Sequence, residues 1–332
     1  MEPPVLWMNA ASRGCAIPVV GFNSAMREIT PRAQLRIDGW STNKITAAVR
    51  GQKLHRAAPG LYVLPDGIDE YAFYRIRVRA TMQRRGGVAS HVSAAALHGI
   101  PYHNPDRTHV HITLDRASGG GRRGKVHLHA RPLPPEDVTE VDGALATSRA
   151  RTAIDAAMTG DLVRGVCAID AVRLVRRYPR PEDPDPVSVE ELQACIDRMG
   201  SRRGAGVVRR ALALSVDRSE SAGESWSRMQ MHASGLPMPE LQVEYHFGES
   251  VYFADFTWPG LVGEFDGRGK YGDDVGEEAE VLEREKSRQE TFETAGFEVL
   301  RWSWRVLNHD GALASMLRPA LDRHVGPASA SA

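Results

Sequence analysis

A chain of 332 residues, 42% hydrophobic and 25% charged, has the composition of a globular protein and length for two or three domains of ~100–200 residues each. No run of about 18 apolar residues occurs, which argues against a membrane span. The formal net charge of zero hides an asymmetry: residues 1–219 carry 32 Lys and Arg against 22 Asp and Glu, whereas residues 220–332 carry 10 against 20. A basic first part points to a polyanionic partner; an acidic second part points to a metal ion or to solubility. The alternative is that the two parts attract each other. The opening "MEPPVLWMNAASRGCAIPVVGF" lacks the basic start and apolar core of a secretory signal. Cys15, Cys167 and Cys195 lie too far apart for a metal or redox motif. Both features predict a cytoplasmic protein with buried, reduced cysteines.

After an extension over residues 1–25, "TPRAQLRIDG" predicts a helix capped by Thr30, with Pro31 at its first position and Gly39 at its end. "STNKITAAVRGQ" predicts a second, capped by Ser41, with Ile45, Ala48 and Val49 as its apolar stripe and Gly51 as its stop. "LHRAAPGLYVL" reads as a hairpin with a Pro-Gly turn. Helix, turn, helix, hairpin is the order of a winged helix-turn-helix, so the second helix would enter the major groove of DNA. Lys44, Arg50, Lys53, His55 and Arg56 are the candidates for phosphate or base contact; a helical hairpin with solvated charges is the plainer account. An Arg-rich helix from about 70 to 85 closes this domain, assigned to residues 26–85.

A middle α+β domain is expected over 86–180. "VASHVSAAALHGIP" predicts a helix capped near Ser90, "THVHITLD" and "KVHLHAR" predict strands, and "GALATSRARTAIDAAM" predicts a strand running into a helix. Seven of the 12 histidines fall between His91 and His129. Period-two alternation puts His109 and His111 on one strand face and His127 and His129 on another. Pairing of those strands would gather four imidazoles, as zinc requires. No neighbouring Cys or spaced carboxylate completes a familiar pattern, so solvated histidines on a strand face are the preferred reading. A Pro-rich linker and helices fill 181–219.

The last domain is expected over 220–325, before a disordered tail at 326–332. "SAGESWSRMQMHASGLP" predicts a helix carrying Glu224 near its start. "ELQVEYHFGESVYFADFTWPGLVGEFDG" predicts a three-stranded meander, whose Pro-Gly turn would bring Asp255 beside Glu264 and Asp266. "EEAEVLEREKSRQETFETAG" predicts a long helix with Glu285 near the middle of its buried face and Lys286 near the edge of that face. The apolar strand "FEVLRWSW" follows, its Trp302 and Trp304 read as packing residues. Buried carboxylates need a positive partner. Magnesium or manganese, held by Asp255 and Glu264 with Glu224 directly or through water, suits such a set. Edge-strand charges that discourage aggregation are the structural alternative.

"DFTWPGLVGEFDG" together with "EREKSRQETFETAGFEVLRWSW" resembles the very-short-patch-repair-like endonuclease domains of the PD-(D/E)xK nucleases, over about residues 220–322. This resemblance implies a restriction-endonuclease-like core, a mixed sheet flanked by helices, and metal-dependent hydrolysis of phosphodiester bonds. It implies Asp255, Glu264, Asp266, Lys286 and Glu224 as the catalytic set. Asp266 stands where the better-known motif has lysine, a function left to Lys286 or Lys270. "SHVSAAALHG" and "RARTAID", with the winged helix before them, resemble the AbiEi-type antitoxin domain over roughly 26–160. The expected protein is a multidomain α/β (α+β) DNA-binding protein with a nuclease-like domain. The alternatives are a non-catalytic antitoxin-type regulator of its own operator, with a toxin protein partner, and a relic nuclease fold that contacts protein only.

Overall fold

The computed structural model describes residues 29–65, 67–159, 161–267 and 278–326, with side chains left undescribed over 278–285. The sequence readings for the extension, the tail beyond Gly326, Cys15, Lys270 and the Glu285 side chain lie outside the described residues. The fold is a mixed α/β arrangement in two compact units. One comprises the described residues up to Arg173 plus Pro181–Ser215; the other comprises Leu174–Arg180 and the described residues from Val216. Among the described residues no helix is long and apolar enough to cross a membrane.

The first unit opens with β1 (Thr30–Pro31), α1 (Arg32–Ile37), α2 (Thr42–Arg50), β2 (His55–Ala58) and β3 (Leu61–Val63). Thr30 and Pro31 are not the start of a helix, as their residue types had predicted. They pair with Tyr62 and Leu61 in a three-stranded sheet of order β1-β3-β2, so tertiary pairing wins over the local cap signal and α1 starts at Arg32. The second helix follows its local code: Ser41 accepts a hydrogen bond from Lys44 N, Gly51 is the C-cap, and Ile45 and Ala48 are buried. Leu35, Ile45, Leu54 and Tyr62 make the small core beneath these elements.

Next come α3 (Glu70–Arg85), β4 (Val88–Ala89), α4 (His91–His98), β5 (Val110–Asp115), β6 (Gly121–Arg123), β7 (Val126–Arg131), β8 (Val138–Val141) and β9 (Ala144–Thr147). Their six-stranded sheet has the order β6-β7-β5-β4-β9-β8. The two histidine strands pair in parallel, with His111 opposite His127 and Thr113 opposite His129. Val110, Ile112, Val126 and Leu128 point to the opposite face and bury against Tyr74, Val78 and Met82 of α3 and Val92 and Leu97 of α4. The unit ends in α5 (Arg149–Ala157), α6 (Leu162–Arg173), α7 (Val189–Met199) and α8 (Ala205–Leu214). Among the described residues, Cys167 and Cys195 are outside any disulfide and are buried as expected.

Arg151, in the "RARTAID" stretch, is wholly buried. Its guanidinium meets Asp137 at 2.9 Å and Asp155, one helical turn on, at 3.1 Å. Arg198 on α7 reaches the other oxygen of Asp137 at 2.6 Å. Buried charges persist only when paired and hydrogen-bonded, so this motif is a structural clamp tying α5 and α7 to the strand β8 that follows Asp137.

The second unit holds α9 (Ala222–Ala233), β10 (Glu240–Phe247), β11 (Ser250–Trp258), β12 (Leu261–Asp266), α10 (Glu278–Thr294), β13 (Glu298–Ser303), α11 (Trp304–Leu307) and α12 (Ala312–His324). Its sheet has the order β10-β11-β12-β13, antiparallel except for the parallel β12–β13 pair. Trp302 is buried in the main core with Phe256, Trp258, Phe265 and Leu317. The last strand stops at Ser303, which caps α11, so Trp304 begins a helix rather than ending a strand.

Candidate functional site

The carboxylates of the second unit are placed by three elements. Ser221 caps α9, accepting from Glu224 N at 3.1 Å, and its hydroxyl donates back to Glu224 Oε1 at 2.7 Å. Glu224 Oε2 accepts from Glu220 N at 2.9 Å, one residue before the cap. The hairpin register Phe256↔Gly263 makes Asp255 and Glu264 the next residues facing each other across β11 and β12. Asp255 Oδ2 accepts from Phe265 N at 2.9 Å.

Gln242 of β10 ties the first two acids together. Its Nε2 donates to Glu224 Oε2 at 3.2 Å and to Asp255 Oδ1 at 3.1 Å, and its Oε1 accepts from Arg177 at 3.2 Å. Gln242 has φ of +53° in mid-strand, an uncommon conformation for a side chain of this type. Such strain gathers where the surroundings over-determine a residue. Arg177 also lies 3.3 Å from the Phe253 ring centroid, and Arg288 of α10 meets Glu264 Oε1 at 2.7 Å.

The electrostatics follow from burial. Glu224 and Asp255 are pushed up from the usual carboxylate range by desolvation. The Asp255 charge raises Glu224 further, while the Phe265 N–H and Arg288 pull Asp255 down. Burial and then Asp255 raise Glu264 to about 8, against the pull of Arg288 and Arg301. Desolvation thus outweighs the pull of the nearby arginines on these acids.

Not all of the sequence-predicted set shares this pocket. Glu224, Asp255 and Glu264 do. Asp266 lies exposed at the end of β12, in register with Ser303. Lys286 is exposed and pairs with Glu290 at 3.9 Å. The cation at Glu264 is instead Arg288, which lies four residues before buried Phe292 and so shares its helix face. Gln242, Arg177 and Arg288 were missed; a lone amide in the apolar run "LQVEY" and the helix-face arithmetic at Arg288 were the available signals. Glu224, Asp255 and Glu264 do not close to one ligand sphere. Gln242 stands between Glu224 and Asp255, and Arg288 holds Glu264 Oε1.

In the first unit, Lys44, Arg50, Lys53 and Arg56 are all exposed. Lys44 Nζ lies 4.4 Å from the Trp40 ring centroid. Arg32 and Arg36 both donate to Thr42 Oγ1, at 3.2 and 3.3 Å, so further cations cluster at the start of α2.

Residues 88–182 match the family model described as the AbiEi antitoxin C-terminal domain. That span begins after α3, so the resemblance expected over 26–160 belongs to the middle sheet and its helices rather than to the first two helices. Two relatives from strains of Mycobacterium tuberculosis, the uncharacterized proteins MT2308 and Rv2248, are each 32% identical over 170 residues, covering 51% of this chain and 58% of their own. The chain thus spans little more than half the length of these relatives. The crystal structure of the RV2827C protein from Mycobacterium tuberculosis is similar at a TM-score of 0.36 and 17% identity, covering 68% of this chain and 83% of that one.

Proposed function

We propose that the protein is a DNA-binding regulator of the antitoxin type, which binds the DNA upstream of its own gene and pairs with a toxin protein. The match of residues 88–182 to the AbiEi antitoxin C-terminal domain carries this reading. Under it, residues 26–85 are a winged helix-turn-helix, with α2 in the major groove and the β2–β3 hairpin along the backbone. The exposure of Lys44, Arg50, Lys53 and Arg56 on these elements supports it, since phosphate contacts are made by exposed cations. The test is a reporter placed behind the upstream DNA. The chain should lower expression and the Lys44→Ala/Arg50→Ala variant should restore it; expression indifferent to the chain overturns the proposal.

A second reading is favoured by one observation, the grouping of buried Glu224 with half-buried Asp255 and Glu264. Here residues 220–325 are a PD-(D/E)xK endonuclease-like domain, and Asp255 and Glu264 hold Mg²⁺ or Mn²⁺. That ion would neutralise the scissile phosphate and activate water. The chain's own part is to orient the acids: Gln242 and the Phe265 N–H fix Asp255, and Arg288 fixes Glu264. Incubation of supercoiled plasmid with Mg²⁺ should produce nicks that Asp255→Ala and Glu264→Ala abolish. Intact plasmid, or nicking that survives both substitutions, removes this reading.

A further inference from the structure

Away from the carboxylate pocket, four imidazoles meet at one end of the six-stranded sheet. His91 and His129 stack with centroids 3.9 Å apart, His129 and His127 lie 4.2 Å apart, and His111 lies 5.1 Å from each of His127 and His129. His111 Nδ1 and His129 Nε2 face each other at 3.0 Å. Among the described residues, His91, His111 and His129 form the one group of three or more His, Cys, Asp or Glu whose ligand atoms all lie within 4.8 Å of one another.

We propose that His91, His111 and His129 form a binding site for a borderline divalent cation of the zinc class. A tetrahedral ion at ~2.0–2.1 Å from imidazole nitrogen places its ligand atoms roughly 3.3 Å apart, and the His111–His129 pair, at 3.0 Å, needs only a small opening to match it. Three protein nitrogens leave a fourth position, toward which the less buried His127 is the nearest further imidazole. Nitrogen donors select zinc-class ions over magnesium, so this site is distinct in chemistry from the acidic pocket.

Three independent features prepare the cluster. His91 opens α4 with φ of +52°, a strained conformation for a non-glycine residue, and it turns a buried ring onto His129. Asp155 Oδ2 is buried with no hydrogen-bond partner, and such a group is costly to leave unmet. His91 Nδ1 bonds to Ser90 Oγ at 3.0 Å, and Asp155 Oδ2 lies 3.8 Å from the same nitrogen, a nearby carboxylate of the kind that favours a metal-bound histidine. Arg151 adds little repulsion, because its charge is met by Asp137 and Asp155. Binding would shift the ring proton that lies between His111 Nδ1 and His129 Nε2 to the other nitrogen of its own ring, so that both facing nitrogens become lone-pair donors. The ion would then tie α4, β5 and β7 together. His109, one of the four histidines singled out by alternation, bonds to Thr108 instead and stays outside the group.

The test uses the untagged full chain, stripped with chelator and titrated with Co²⁺ and then Zn²⁺. One equivalent of Co²⁺ should give the visible absorption of a tetrahedral complex and be displaced by Zn²⁺. His111→Ala and His129→Gln should lose it, His109→Ala should keep it, and Asp155→Asn should weaken it about 10–100-fold. Circular dichroism on each stripped variant separates loss of ligand from loss of fold. A variant that fails to fold is replaced by His91→Gln, which must then lose the signal. Absence of uptake, equal uptake by the His109→Ala and His111→Ala proteins, or uptake that depends on Asp255 and Glu264 instead overturns the site.

Discussion

The acidic pocket and the histidine cluster bury titratable groups for opposite ends. In the pocket, desolvation raises Glu224, Asp255 and Glu264, so the acids retain protons that solvated carboxylates release. In the cluster, desolvation lowers His111 to about 4 and His129 to about 2, so the rings are neutral lone-pair donors. In one region burial outweighs the pull of nearby arginines on the acids, and in the other it has stripped the imidazoles of charge. Burial alone pushes any ionisable group toward its neutral form; the residue type decides whether the result is a stored proton or an open ligand.

The clamp behind the histidines gives the largest expected effect. Arg151→Ala leaves Asp137 with only Arg198 and leaves Asp155 buried without its main partner, at a cost of about 3–5 kcal/mol. Urea unfolding of the first unit checks it; a change below about 1 kcal/mol would mean the network relaxes into water. In the second unit the comparable test is Gly223→Ala. A Cβ there would sit 2.0 Å from Phe265 Cε1, so α9, which carries Glu224, must shift off β12, at about 1–3 kcal/mol. Thermal unfolding reads that loss, and an unchanged midpoint would show that Phe265 can move aside.

The contrast itself is broken or sharpened by pH, in metal-free protein. A carboxyl raised from 4.5 to about 8, as Glu264 is, stabilises the fold below pH 4.5 and loses that contribution as pH climbs through about 8. Histidines lowered from 6.5, as His111 and His129 are, stabilise it above pH 6.5 and lose that contribution as pH falls toward their folded values. Unfolding followed by hydrogen exchange in each unit should therefore show opposite slopes, and Glu264→Gln should flatten the fall with rising pH in the second unit alone. Parallel slopes in the two units would contradict the comparison.

Much of the local structure was legible because short-range rules decide it. Ser41, Ile45, Ala48 and Gly51 specify α2 without reference to the rest of the chain, and the Pro-Gly turns specify the β2–β3 and β11–β12 hairpins. Elements that exist only through pairing were not legible. The strands β4 and β6, two and three residues long, have no pattern of their own, and Thr30–Pro31 was drawn from a helix start into a strand by Leu61 and Tyr62. The acids of the site were readable as costly residues in apolar runs, but their partners were not. Gln242 adopts a conformation that its type does not advertise, and Arg288 rather than Lys286 follows only from helix phase against Phe292. The parallel pairing that sets His111 against His127, and the folding of His91 onto His129, depend on contacts distant in sequence.

The smallest effect tests the central claim most directly: binding of the chain to its upstream DNA, by fluorescence anisotropy across a salt series. The account predicts that log K falls linearly with log salt, that Lys44→Ala weakens binding modestly, and that this variant reduces the slope by about one. Binding that is absent, or that is indifferent both to salt and to the loss of Lys44, would contradict it.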